Sequence, residues 1–129
     1  MESIISQTTA AYSLLVLLFA LGLFHLLILT GVIPHSIIWA GKIKSRKQLI
    51  RLELFSIFIL LIAGLIVVLN TDLIELATPV SGLKIANWAL FGFFVLNTLG
   101  NLTAKTKFEK FGFGSLTLIM AFLALALAL

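Results

Sequence analysis

The sequence predicts an all-α membrane protein, a four-transmembrane-helix up-down bundle with both termini on the non-cytoplasmic side. Three observations carry this. Of 129 residues, 61% are hydrophobic and only 11% are charged, against about a quarter charged in a soluble domain. The apolar residues gather in long unbroken runs, and the basic residues gather in short stretches between them. A soluble chain this short has too little interior to hide so much apolar surface.

A helix needs roughly 20 apolar residues to cross the hydrocarbon. The first run extends from Ala11 to Ile33 and is closed by Pro34. The second covers Ile50 to Leu69, the third Leu83 to Ala104 and the fourth Phe111 to Leu129. Together they make a single transmembrane domain over residues 1–129. A barrel would need alternating segments of about 10 residues, whereas these runs are continuous. The Leu-Ala alternation at the end has a strand-like period. Both residues are strong helix formers, and a lone strand cannot satisfy its backbone in lipid. The start of the chain does not read as a cleavable signal, because its first charge is Glu2 and no Lys or Arg precedes Lys42. The first run is therefore read as a retained helix.

The connections are short, so neighbouring helices run antiparallel. The first, Pro34 to Leu49, holds Lys42, Lys44, Arg46 and Lys47, with Arg51 just beyond. The second, Asn70 to Gly82, contains Asp72, Glu75 and Pro79. The third, Lys105 to Lys110, is again mostly basic. Eight of the nine basic residues fall on the first and third connections, and only Lys84 falls on the other side. Cytoplasmic loops carry such an excess. Tyr12 and Trp88 then sit at the outer interface and Trp39 at the inner one, where an aromatic belt forms.

Several chemistries are excluded or demoted. The absence of cysteine removes disulfides, thiolate nucleophiles and zinc-thiolate sites. The net charge of +4 does not point to nucleic acid, because the basic residues follow the loop pattern. There is no phosphate-binding loop, dinucleotide fingerprint or H-E-x-x-H. His25 and His35 lie across Pro34 and make a poor metal pair. His35 itself reads as a solvated loop residue. No cofactor, metal or complete catalytic set is expected, and the balance falls against an enzyme.

The candidate site comes from depth. Polar groups inside a membrane are costly, and ionisable ones are functional candidates by default. Using about 1.5 Å per residue, one layer holds His25, Ser56, Asn97 and Thr117. A shallower layer holds Glu53, Asn101 and Thr30. All fall in the cytoplasmic half, and the outer half reads as nearly devoid of such groups. Glu53 and Ser56 are i,i+3 and Asn97 and Asn101 are i,i+4, so each pair shares a helix face. The bland readings differ by residue. Asn97 and Asn101 suit interhelical glue. Ser56 and Thr117 suit bonds to their own helix backbone. Glu53 suits snorkelling to water or pairing with a loop lysine. His25 suits a neutral hydrogen bond to an Asn or Ser. Gly92, Gly100, Ala63, Gly64, Gly112 and Gly114 read as places where helices approach closely. Phe91, Phe93 and Phe94 read as lipid-facing or packing residues.

The stretch Gly31-Val-Ile-Pro34, then Trp39-Ala-Gly41-Lys-Ile-Lys-Ser and Glu53, resembles a family of small four-helix bacterial integral membrane proteins of unknown function. Asn97-Thr-Leu-Gly100-Asn101-Leu-Thr-Ala-Lys105, Phe108-Glu109-Lys110 and Leu116-Thr117-Leu118 extend the resemblance. It implies a bacterial inner-membrane protein and no mechanism.

Three functional expectations follow. The first is a protein that acts by binding a membrane lipid, a partner membrane protein or a second copy, with a polar pocket of His25, Glu53, Ser56, Asn97 and Asn101. The second is an oligomeric transporter or channel subunit for a small solute or ion. The third is an enzyme acting on a lipid or isoprenoid, with His25 or Glu53 as acid-base group.

Overall fold

The computed structural model describes residues 6–34, 44–71, 73, 81–104 and 106–129. His35, Trp39, Gly41 and Lys42 lie outside the described residues, as do Glu2, Asp72, Glu75, Pro79 and Lys105. Among the described residues, four helices are long and apolar enough to span a membrane. They are α1 (Gln7–Leu29), α2 (Arg46–Val68), α3 (Leu83–Leu102) and α4 (Gly114–Ala128), the last extended at its start by a π-helical segment, Phe108–Phe113.

The helix ends follow from local chemistry. Helix α1 starts four residues before Ala11 because the Ser6 hydroxyl accepts from the Thr9 N–H at 3.1 Å. It stops at Leu29, short of Pro34, because Gly31 takes the left-handed conformation at φ 87° that ends a helix cheaply. Helix α2 starts at Arg46 and not Ile50, since Ser45 caps it by accepting from the Gln48 N–H at 3.1 Å. The Arg46 guanidinium donates to the Leu29 carbonyl at 3.0 Å, satisfying an orphan acceptor at the end of α1. Helix α3 begins at Leu83, after the left-handed Gly82.

Hydrogen bonds between helix ends define the topology. Gln7 at the start of α1 donates to the Leu127 carbonyl at the end of α4, at 3.2 Å. Asn70, just past α2, pairs with Asn87 near the start of α3. Arg46 joins the opposite ends of α1 and α2. The helices therefore alternate in direction. Helix α4 is the most buried: 50% of its span is buried, against 17%, 17% and 22% in the others. Ala121, Ala124, Ala126 and Ala128 make that possible, because small side chains let α3 and α1 come close. Leu14 and Leu18 of α1, Val67 of α2 and Leu90 and Phe94 of α3 complete the core. Large apolar side chains such as Phe19, Leu61, Ile85 and Leu96 point outward, as lipid-facing helix surfaces do. Helices α2 and α3 approach each other least among the neighbours.

The end of the bundle that holds Gln7 and Leu127 is not the plain apolar packing that the sequence suggests. The Asn70 and Asn87 amides exchange two hydrogen bonds, at 2.8 and 2.9 Å. Asn70 also donates to the Ile66 carbonyl at 2.8 Å. Asn87 is buried and reaches the Leu127 carbonyl at 3.4 Å. This clasp ties α2, α3 and α4 together where few other polar groups lie. The interhelical bonding expected of Asn97 and Asn101 is thus carried by Asn70 and Asn87.

Of the small residues, Ala63 is buried and Gly114 marks a close approach: a Cβ there would lie 3.0 Å from Leu102 Cδ2. At Gly64, Gly92 and Gly100 a Cβ would meet nothing within 4 Å. Those glycines face open space, so they are not packing points within the chain.

Candidate functional site

The half of the bundle nearest the Leu29–Arg46 contact contains a cleft of about 320 Å³. All four helices contribute to its wall. Leu21 and His25 come from α1; Phe55, Ser56, Ile59 and Leu60 from α2; Phe93, Phe94, Asn97 and Asn101 from α3. Glu109 and Phe113 come from the π-helical segment and Thr117 from α4. His25, Ser56, Asn97, Asn101 and Thr117 of the sequence-derived layers therefore share one cleft. Thr30 does not line it; its hydroxyl donates to the Leu27 carbonyl at 3.2 Å.

Glu53 stands behind the wall. Its side chain is 0% exposed and is hydrogen-bonded to His25 Nδ1. Of the two bland readings of Glu53, snorkelling to water is overturned by its burial, and the partner of His25 is a carboxyl group and not an Asn or Ser. The early start of α2 explains both. Beginning at Arg46 sets Glu53 about 6 Å further along the helix than a start at Ile50 would, one turn deeper and level with His25.

The remaining polar groups divide into committed and uncommitted ones. The Asn97 amide donates to the Phe93 carbonyl of its own helix at 2.9 Å. The Thr117 hydroxyl donates to the Phe113 carbonyl at 2.8 Å and accepts from Thr98 at 3.0 Å. That bond crosses from α3 to α4 and closes the cleft floor. Among the described residues, the side chains of Ser56 and Asn101 make no hydrogen bond. Both are half-buried and line the cleft. Their expected roles, helix-backbone bonding for Ser56 and glue for Asn101, are absent among the described residues.

Glu109 was not singled out from sequence, yet it is buried in the cleft wall. A signal for it exists. Thr106-Lys-Phe-Glu109 is a capping-box pattern. The Glu109 N–H donates to the Thr106 hydroxyl at 3.2 Å, and that hydroxyl contacts Glu109 Oε1 at 3.0 Å. The cap moves the helix start ahead of Phe111 and puts Glu109 inside the first turn. The Gly114 N–H then bonds the Glu109 carbonyl, five residues back. This widened turn keeps Glu109 and Phe113 on the same side, facing the cleft. Such π-helical turns are uncommon and concentrate at functional sites.

The aromatic lining is also more than lipid-facing surface. Phe94 is buried, and Phe93 meets it edge-on with centroids 5.4 Å apart. Phe113 packs edge-on against Phe24 at 5.1 Å. Phe55 stands at the α2 rim and is exposed. Phe91 leaves the cleft wall and packs edge-on against Trp88 at 5.9 Å.

The cleft is thus amphipathic, with polar groups toward the Arg46 end and aromatic and aliphatic walls toward the bundle centre. Among the described residues, no group of three or more His, Cys, Asp or Glu side chains is placed to hold a metal. The chain matches no family model, no curated protein and no solved structure.

Proposed function

We propose that this chain is a multi-pass membrane protein that acts by binding an amphiphile, a lipid or lipid-like molecule, in the cleft between α2 and α3. One observation carries the proposal: Ser56 and Asn101 face the cleft without a hydrogen-bond partner among the described residues. In a low-dielectric surrounding an unpartnered amide or hydroxyl is costly, and a ligand head supplies the missing partner. The sparsely packed α2–α3 seam gives a tail a lateral way out to lipid. The volume is near the lower end for small-molecule sites, which suits a head and the first carbons of a chain.

The basic residues Lys44, Arg46, Arg51, Lys107 and Lys110 lie at the same end of the bundle as the cleft. By the positive-inside rule we assign this end to the cytoplasm and the two termini to the opposite side. The resemblance noted from sequence motivates a bacterial inner membrane. A partner membrane protein or a second copy is the other binding mode, and the outward apolar faces leave room for it. A transporter subunit is disfavoured because the cleft occupies one half of the bundle and the apolar core fills the other.

The test is direct. Native mass spectrometry of the full chain, titrated with monodecanoylglycerol in neutral detergent, should show one retained molecule. Ser56→Trp, which fills the cleft from its half-buried wall, should abolish retention. Retention of none by the wild type, or equal retention by Ser56→Trp, contradicts the proposal.

A further inference from the structure

A second opening lies between α1 and α2 on the outward face of the bundle and holds about 710 Å³. Leu15, Gly22 and Leu26 of α1 and Ile57, Gly64 and Val68 of α2 mark its course, about 16 Å along each helix. Its wall carries no polar side chain. At Gly22 and Gly64 a Cβ would meet nothing within 4 Å, so the glycines keep the groove deep. Leu26 stands one turn before the end of α1, and there the groove reaches the basic end of the bundle. The Arg46 guanidinium donates to the Leu29 carbonyl at 3.0 Å, which holds it across the mouth. Arg46 precedes Gly64, and Lys47 precedes Leu65, by about five turns of the helix, so both sit on the groove face of α2. Both are exposed. A guanidinium has about five N–H donors, and those that Arg46 does not spend on Leu29 make no hydrogen bond to a described residue. Neither of the described acidic side chains, Glu53 and Glu109, lines the groove.

We infer that this groove binds an anionic phospholipid, with one acyl chain along it and the phosphate seated on Arg46 and Lys47. The site is separate from the α2–α3 cleft and does not depend on it. Hydrocarbon fills any apolar groove in a bilayer, so the wall alone selects nothing; the charge at the mouth does. A guanidinium meets phosphate oxygens through paired N–H groups, and a lysine adds a second positive charge. Basic residues at a bilayer surface favour anionic lipid in this way. A zwitterionic head brings its own ammonium beside the phosphate, which offsets that attraction.

The experiment compares two heads on identical tails. The full chain in neutral detergent is mixed with equimolar dioleoylphosphatidylglycerol and dioleoylphosphatidylcholine, and the retained lipid is read by native mass spectrometry. The anionic lipid should be retained about tenfold over the zwitterionic one, the scale of two surface cations. Arg46→Gln with Lys47→Gln should reduce the preference to about twofold or less. Lys47→Gln alone, which leaves the Arg46–Leu29 bond in place, should lower it about threefold. Lys107→Gln with Lys110→Gln, at the same end but off the groove, should leave it unchanged. Gly22→Leu with Gly64→Leu fills the groove and should cut retention of the anionic lipid at least about fivefold, with the melting temperature read alongside to show that the variant folds. Excess monodecanoylglycerol should not displace the anionic lipid. Equal retention of the two lipids by the wild type, or an unchanged preference in the Arg46 and Lys47 variants, overturns the inference. So does an equal loss in the Lys107 and Lys110 variant, undiminished retention by the folded double-leucine variant, or displacement by monodecanoylglycerol.

Discussion

His25 Nδ1 and the Glu53 carboxyl group share a hydrogen bond across the α1–α2 seam, inside two spans and one side chain away from the cleft. The pair fixes the rotation of α1 against α2, so that His25 presents its ring to the cleft while Glu53 stays fully buried. Removing one side of a buried polar contact costs about 1–3 kcal/mol. His25→Ala and Glu53→Ala should therefore each sharply lower thermal stability in detergent. Glu53→Gln, which still accepts, should cost less. His25→Leu with Glu53→Leu should recover much of the loss, because both sides of the contact are then apolar. Additive losses in the double variant would show that the two side chains do not act as a pair.

The Asn70–Asn87 clasp should contribute to stability and not to binding. Interhelical amide bonds in membranes are worth about 0.6 kcal/mol on average and up to about 1.7. Asn87→Ala also strands Asn70, so its loss should fall at the upper end of that range. A double-mutant cycle on unfolding in detergent measures the coupling. Amphiphile binding should be unchanged, because the clasp sits at the far end from the cleft.

Gly114 and Gly64 should respond oppositely to the same substitution. Alanine at Gly114 places a Cβ 3.0 Å from Leu102 Cδ2. The leucine end can shift, so Gly114→Ala should be mildly destabilising and Gly114→Val clearly more so. At Gly64 a Cβ meets nothing within 4 Å, and Gly64→Ala should be neutral or stabilising by up to about 1 kcal/mol through helix propensity. Melting temperatures of the variants decide it.

Much of this was legible in the sequence, and the exceptions have physical causes. Hydropathy alone marks the spans, because lipid demands long apolar helices whatever their partners. The depth argument brings His25, Ser56, Asn97 and Thr117 to one level and Asn101 to a shallower one, and all five line one cleft. What depth cannot supply is rotation about each helix axis. Asn97 and Asn101 therefore looked like glue, while Asn70 looked like loop and Asn87 passed as an ordinary helix residue. Helix ends were misplaced where hydropathy was trusted over caps: Ser6, Ser45 and Thr106 each start a helix ahead of its apolar run. The Thr106 case hid Glu109, which is buried in the cleft wall.

Ser56 and Asn101 should separate binding from stability. Neither makes a hydrogen bond to a described residue, so Ser56→Ala and Asn101→Ala should leave the unfolding free energy in detergent within about 0.5 kcal/mol of the wild type. Each should weaken monodecanoylglycerol retention several-fold, by the loss of about one neutral hydrogen bond. A stability loss as large as that of Asn87→Ala would identify them as structural.

The most direct test of the central claim is where a bound tail lies. The full chain is reconstituted with a photoactivatable amphiphile carrying a diazirine on its first few carbons, irradiated, digested and mapped by mass spectrometry. Labels should concentrate on Phe55, Ile59, Phe93 and Asn97, which line the cleft at the α2–α3 seam, and an excess of monodecanoylglycerol should displace them. Labels spread evenly over outward residues such as Phe19, Leu61, Leu96 and Phe122, with none displaced, would contradict a lateral amphiphile site.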